Sequence, residues 1–578
     1  MRLSEALRIN EQAVSATSPP RKVHLVCGFT PLHLETFVKA NVRRNFPGEG
    51  VEILSGLFGD LEGNLRKASH APAEGDLLVL EWSDLDERLG LRSSAGWGSE
   101  ILADVLQQVP EKLRRLETGL GELAKMMPVA VLATTLPIPP LTHLPPVQAS
   151  AFELQLQCAK MHFLCRICSL PSVRLVSESA LALRSPQAQR HDVKMELHAG
   201  FPYSVSHASA AAELLVSCLF PRIPKKGLIT DLDDTLWKGI LGDVGVGALS
   251  WSLEDRSQAH AIYQQLVASL AESGVLVAVA SKNDPHLVRE AFAQPNLLLR
   301  EAQVFPVEAN WGAKSESVGR ILRAWNISAD SVVYVDDSPM ELAEVAEKHP
   351  GIECIRFPAE DPAGIVELAS RLRSLFGKSE VREEDRLRLE SLRSSAALEA
   401  AQSTDAAPDF LARLNAKIVL RFSTAANDAR AFELVNKTNQ FNLNGCRYTQ
   451  SEWRSYFERP NAVLVTADYE DRFGPLGKIA VMGGHGGPAD LQVDIWVMSC
   501  RAFSRHIEFQ MLHRLYEKYH ASRIRFSFKS TERNGPIQEF FSRFVKADLP
   551  ADGLELSASA FEQGRPELFH NVTETIDG

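Results

Sequence analysis

Leu228-Ile229-Thr230-Asp231-Leu232-Asp233-Asp234-Thr235-Leu236-Trp237 is the stretch on which the reading of this chain turns. The apolar Leu228-Ile229-Thr230 predicts a buried strand. Asp231 and Asp233, two residues apart where that strand ends, can face one site. One carboxylate can attack an electrophile while the other handles a proton. A carboxylate is a weak nucleophile suited to phosphoryl transfer, in which it forms an aspartyl phosphate. Acidic pairs are also common in surface loops, so the pair alone does not decide the chemistry.

Three further stretches, in order along the chain, add to it. Gly274 to Ser281, G-V-L-V-A-V-A-S, predicts a second buried strand ending in a hydroxyl. In Lys282-Asn283-Asp284-Pro285, Asp284 suits an N-cap and Pro285 the first helical position. Ser281 then sits where a strand meets a helix N-terminus, a natural phosphate site, with Lys282 and Asn283 beside it. Lys314 opens a predicted helix, where a cation opposes the helix dipole. That cost points to a use, namely holding phosphate charge next to Asp231. Ser331 to Asp337, S-V-V-Y-V-D-D, predicts a third strand ending in Asp336 and Asp337, before Ser338-Pro339. Carboxylates gathered this way repel one another unless a cation lies between them. Hard oxygen ligands beside phosphate suit Mg²⁺.

The chemistry assigns roles. Asp231 is the expected nucleophile, and Asp233 the acid that protonates the leaving oxygen and then activates water. Ser281, Lys282, Asn283 and Lys314 are the expected phosphate ligands. Asp231, Asp336 and Asp337, with the backbone carbonyl of Asp233, are expected to hold Mg²⁺. The interval from Asp231 to Ser281 is short. Arg256 to Ser273 has helical periodicity (Ile262, Leu266, Leu270) and ends at Gly274, a C′ residue. That leaves only a flap, Lys238 to Asp255, and no room for a cap domain. An open site favours a substrate presented by a protein, or a cover supplied by another domain or partner.

The chain has 578 residues, enough for several domains. Its 45% hydrophobic and 23% charged residues allow full cores in a soluble protein. A net charge of −11 speaks against nucleic-acid binding. No apolar run suits a membrane helix, and Met1 to Pro20 has no signal-like apolar segment, so a cytoplasmic protein is expected. The eight cysteines are then expected as reduced thiols. Cys165-x-x-Cys168 has no second pair and lies in a helical pattern, which predicts core rather than zinc.

The fold class expected is α/β and multidomain. Residues 1–220 alternate strand-like runs (Val23 to Val26, Leu77 to Leu80, Val129 to Leu132) with amphipathic stretches, predicting a parallel sheet. Residues 221–378 form the phosphotransfer core, 379–407 a helical linker, 408–550 a third α/β domain and 551–578 a flexible polar tail.

Lys226 to Gly245, Ala280-Ser281-Lys282-Asn283-Asp284 and Val335-Asp336-Asp337-Ser338-Pro339 resemble the FkbH-type branch of the haloacid dehalogenase (HAD) superfamily. Lys437 to Asn442 and Val497 to Arg501 resemble the acetyltransferase-like (GNAT-like) C-terminal domain of that branch. The first domain resembles the SGNH-hydrolase-like region of its longer members. The resemblance implies a central Rossmann-like HAD core with a minimal cap. It also implies an activity: phosphate is removed from 1,3-bisphosphoglycerate, and a glyceryl unit passes to the phosphopantetheine thiol of a holo acyl carrier protein for polyketide-type biosynthesis. A plain Mg²⁺-dependent phosphatase on a phosphoprotein or small phosphometabolite is the alternative. The branch also implies a thiol that holds the acyl group. The position four residues before Asp231, cysteine in some members, is Gly227; Cys354, on the apolar run after the acidic pair, is a candidate but reads more readily as a buried core cysteine, Cys446 and Cys500 are weaker ones, and direct transfer to the carrier thiol needs none of them. Thr30 stands where an SGNH nucleophile block would lie, and His198 and His207 where its histidine would, so a non-hydrolytic domain is expected. Arg501 to His506 lacks the glycines of a coenzyme A loop, so coenzyme A is not expected there, while a carrier's phosphopantetheine stays open.

Overall fold

The computed structural model describes residues 1–14, 19–94, 98–139, 144–145, 147–378, 381, 389–390, 392–393, 414–423, 426–438, 440–472, 474–487, 491–499, 502, 505–531, 534–545, 549–550 and 552–577. These fall into two compact units, Met1–Ile223 and Pro224–Gly578. Both are mixed α/β. Among the described residues no helix is long and apolar enough to cross a membrane.

The first unit carries a parallel sheet of β1 (Arg21–Val26), β2 (Val51–Ser55), β3 (Asp76–Leu80), β4 (Val129–Ala133) and β5 (Val173–Leu175), in the order β2-β1-β3-β4-β5. The three strands expected from sequence are β1, β3 and β4. Every residue of β3 is buried, which is why it reads as an unbroken apolar run. Helices Leu32–Asn45 and Val205–Leu219 pack on one face, and Leu61–Ala68, Ser99–Ala124 and Ala151–Cys168 on the other. Cys165 and Cys168 do lie on a helix, but both are exposed rather than core. Phe163 and Ile167 take the buried face, and the cysteines fall on the opposite side.

The second unit opens with another parallel sheet: β6 (Gly227–Thr230), β7 (Leu276–Ser281), β8 (Val307–Ala309), β9 (Val332–Asp336) and β10 (Glu353–Arg356), ordered β10-β9-β6-β7-β8. The strand that decided the reading is central. The helix before β7 spans Gln258–Glu272, and Gly274 has the positive φ (+81°) of a C′ residue. Ile262 corrects the expected stripe: it is 37% exposed, and Tyr263 and Val267 join Leu266 and Leu270 in the core. Asp284 caps helix Pro285–Phe292 and Ser338 caps Pro339–Lys348, each with the proline at its start. Most of the expected linker lies outside the described residues, but Leu392 is buried against Trp325 and its neighbours.

A larger sheet comes next: β11 (Lys417–Ser423), β12 (Phe441–Asn442), β13 (Ala462–Asp471), β14 (Gly474–His485), β15 (Leu491–Met498), β16 (Arg523–Lys529), β17 (Asp552–Ser557) and β18 (Asn571–Asp577). Its order is β17-β16-β15-β14-β13-β11-β18, with β12 on β15. The expectation of a flexible tail over 551–578 is overturned. β17 turns Leu554 and Leu556 into the core, helix Ala558–Gly564 buries Phe561, and β18 pairs with β11 from Lys417↔Asn571 to Ser423↔Asp577. β18 is held by main-chain hydrogen bonds along an edge, so its polar side chains hide the strand from a sequence reading.

Candidate active site

Parallel neighbours deliver their carboxyl ends to one edge, where α/β sheets place ligands. Thr230 pairs with Val279 and with Val335, so Asp231 and Asp336 leave the sheet at one level and Ser281 just beyond. One oxygen from each of Asp231, Asp336 and Asp337 lies within 4.8 Å of the other two.

The cation between them is Lys314. Its Nζ lies 3.0 Å from Asp231 Oδ1 and donates to Asp336 Oδ2 at 2.6 Å. Burial lowers the lysine's proton affinity, but Asp231 and Asp336 outweigh it and raise its pKa. The helix-dipole cost at this first helical position is thus offset by two carboxylates. Tyr334 OH also donates to Asp336 Oδ2, and Ser338 N to Oδ1 at 2.8 Å. Burial pushes the Asp231 carboxyl up to about 7, with Lys314 pulling it down and Asp336 adding to the rise. Burial and then Asp336 raise Asp337 too. Thr235 joins the first and last motifs, its Oγ1 accepting from Asp337 N at 3.1 Å.

Asp233 is clamped at both oxygens. Trp237 Nε1 donates to Oδ1 and Asn283 Nδ2 to Oδ2, each at 3.0 Å. Asn283 Nδ2 also reaches Ser281 Oγ at 3.0 Å. Asn283, expected on the phosphate, is buried and bonds to both Asp233 and Ser281. Lys282, expected with it, pairs with Glu341 Oε1 at 2.7 Å. Sequence reasoning missed Thr235, Trp237 and Tyr334 as site residues. The polar Tyr334 inside V-V-Y-V was a signal, since a buried hydroxyl needs a partner.

The flap is as short as expected. Asp234 adopts a positive φ (+49°), its Oδ1 accepts from Gly239 N at 2.9 Å, and Lys238 and Ser250 exchange backbone hydrogen bonds at 2.8 and 3.2 Å. Only the turns Leu241–Val244 and Val246–Ala248 stand between them.

The donors suit Mg²⁺: three carboxylates converge, and Asp231 Oδ1 is buried without a hydrogen bond of good geometry.

No protein-family model and no curated protein matches this chain. Solved structures do. The N-terminal part of a Bacteroides fragilis protein, containing a phosphatase domain and crystallised with Mg, matches at a TM-score of 0.50 and 20% identity, over 66% of this chain and 100% of that one. An uncharacterised Corynebacterium glutamicum protein matches at 20% identity and a TM-score of 0.19, over 27% of this chain and 98% of that one, and carries no argument. The first likeness shows a shared fold.

Gly227 has no room for a thiol, because a Cβ there would lie 2.4 Å from Trp325 Cζ3. Cys354 pairs in register with Tyr334, two residues before Asp336, and packs with the apolar cluster of Trp325 and Ile352. Burial raises its thiol, and Asp336 raises it further. Cys446 is exposed, and Cys500, Arg501, Phe503 and Ser504 lie outside the described residues.

In the larger sheet, β15 and β16 pair only over Leu491–Val493 and Ile524–Phe526. The chain fills the gap beyond. Leu443 N donates to Trp496 O, Lys529 N to Leu443 O, and Asn444 Nδ2 to both Asp494 O and Ser527 O.

In the first unit His207 is fully buried between Thr135 Oγ1 and Ser185 Oγ, each at 2.9 Å. Thr135 and Tyr203 donate onward to Glu81. His198 is exposed, and Thr30 N donates to Gly200 O. Among the described residues, Thr30, His198 and His207 share no hydrogen bond.

Proposed function

We propose that this chain is a Mg²⁺-dependent HAD-type enzyme that removes phosphate from 1,3-bisphosphoglycerate and delivers a glyceryl unit to the thiol of a holo acyl carrier protein. The observation that carries the phosphoryl-transfer part is the assembly of buried Asp231 and Asp336 with half-buried Asp337 at parallel strand ends, with buried Lys314 between the first two. The shared fold with a phosphatase-containing, Mg-bound protein supports it. The glyceryl and carrier part rests on the FkbH-type motifs, as do the SGNH-like and GNAT-like readings of the flanking domains.

Asp231 attacks phosphorus in line, forming an acyl phosphate as the bond to the leaving oxygen breaks. Asp233, already oriented by Trp237 and Asn283, gives that oxygen a proton and later takes one from the water that frees phosphate. Lys314 and Ser281 hold phosphoryl oxygens. Mg²⁺, held by Asp231, Asp336, Asp337 and the Asp233 carbonyl, would neutralise charge on the phosphoryl group. The carboxyl phosphate of the substrate is activated for attack by the carrier's thiol. The filled gap beside β15 favours bringing that thiol to the HAD site rather than to the larger sheet.

One observation favours the plain phosphatase as a second reading. Among the described residues no thiol joins the carboxylate cluster, as a plain phosphatase, which holds no acyl group, would need none.

The deciding experiment is intact-mass spectrometry of a holo carrier protein incubated with this chain, Mg²⁺ and 1,3-bisphosphoglycerate. A glyceryl-sized gain, lost or arrested at phosphoglyceryl in Asp231→Asn, is the expected result. Phosphate release with no gain on the carrier would move the assignment to the phosphatase.

A further inference from the structure

The first unit holds a cavity of its own, about 380 Å³ in volume. That is the size of a small-molecule site. Its walls come from the segments that follow β1, β2, β3 and β4, so it lies outside the carboxyl ends of the sheet. The order β2-β1-β3 makes this the place where the winding reverses: the chain passes from β1 out to β2, then crosses to β3 on the other side. Helices Leu32–Asn45 and Leu61–Ala68, which make those two connections, pack on opposite faces and leave a crevice between β1 and β3. Open α/β sheets bind their ligands in such a crevice.

Apolar walls and one open carboxylate describe what fits. Phe29, Trp82, Leu89 and Leu136 line the cavity, and Phe58, 55% exposed, stands at its mouth. Asp84 lines it with them. Gly28 leaves the space this carboxylate needs, since a Cβ there would lie 1.9 Å from Asp84 Oδ1. Glu81 N donates to Asp84 Oδ2 at 2.8 Å, while Oδ1 carries no hydrogen bond among the described residues. Burial pushes the carboxyl up to about 7, as it does for a charge held without a close counterion.

The surroundings are acidic. Among the described residues Asp60, Glu81, Glu87 and Glu196 line the same space, against Arg92 and Lys112. Both cations are engaged: Arg92 Nη1 donates to Glu196 O at 2.7 Å, and Lys112 pairs with Glu62 at 2.9 Å. A phosphate or carboxylate entering here meets repulsion, so this is no second phosphate site. A protonated amine is attracted, and aromatic faces favour cations as well. Arg92 already lies over Phe58 at 5.2 Å and Lys160 over Trp82 at 5.8 Å.

We propose that this cavity of the first unit binds a small organic amine, its ammonium on Asp84 and its apolar body against Phe29, Trp82 and Leu136.

Isothermal titration of the full chain with three probes of one body tests this: 2-phenylethylamine, 2-phenylethanol and 3-phenylpropionate. The amine should bind about tenfold tighter than the alcohol, and the carboxylate should not bind. Asp84→Asn should bring the amine down to the level of the alcohol. The proposal is overturned if amine and alcohol bind alike, if the carboxylate binds as tightly as the amine, or if the amine fails to bind at millimolar concentration. An amine that binds Asp84→Asn as well as the wild type overturns it too. Should Asp84→Asn misfold, Phe58→Ala decides, because so exposed a ring does not hold the fold. It should weaken the amine roughly threefold, and an unchanged affinity would place the amine elsewhere.

Discussion

Asp233 keeps one orientation because each oxygen has its own donor, one from Trp237 just before the flap and one from the loop after β7. Asn283→Ala removes one of them. General acid–base groups contribute roughly 10²–10⁴-fold, and loss of orientation should forfeit about 10–100-fold in kcat with little change in KM. Rapid-quench measurement of phosphoenzyme formation and decay checks this, because Asp233 serves both steps and both should slow. A variant with wild-type turnover would remove Asn283 from the positioning role. At Gly227 the constraint is steric. Gly227→Cys drives a Cβ into Trp325 and should destabilise the second unit by about 1–3 kcal/mol, read as a lower denaturant midpoint. Both effects depend on contacts between residues far apart in the chain. The motif D-x-D shows two carboxylates; only the fold shows which groups hold them.

Among the elements, β6, β7 and β9 were legible because parallel strands covered on both faces are written as unbroken apolar runs. Their ends were legible as well, since capping Asp284 and Ser338 stand directly before proline. β18 was not. An edge strand with exposed side chains carries no periodic pattern, and its pairing with β11 is a main-chain matter. Deleting residues 571–578 should bare the β11 edge, lower the thermal transition of the second unit and promote aggregation, measured by calorimetry and light scattering. Phe561→Ala should cost about 3–5 kcal/mol, because the side chain is fully buried. A neutral outcome from both changes would restore the loosely held tail.

The whole molecule responds to pH through groups that burial keeps from charging. Burial pushes His207 in the first unit down to about 3, from an ordinary 6.5. The unfolded chain takes up that proton below about pH 6.5, while the folded chain refuses it until far lower. Stability is therefore complete above that range and falls as the pH drops toward 3, by roughly 1.4 kcal/mol per unit from this group alone. Urea unfolding of the full chain at about pH 7.5 and pH 5 should show the first unit losing stability at the lower pH. His207→Gln, which cannot charge, should lose less between the two conditions. An equal loss in both proteins would place the acid sensitivity elsewhere.

The sequence by itself determined the α/β class, the order of the motifs around Asp231, Ser281, Lys314 and Asp336, and the shortness of the flap. Those features are local: a strand, its polar end and a helix start are all written within a few residues. Tertiary structure alone decided that Lys314 lies between two carboxylates, that Asn283 supports Asp233 and Lys282 turns to Glu341, that the cysteines of Ala151–Cys168 face outward, and that residues 441–444 fill the gap beside β15. Each depends on which face of an element meets which neighbour, and packing sets that over distances that spacing along the chain does not encode.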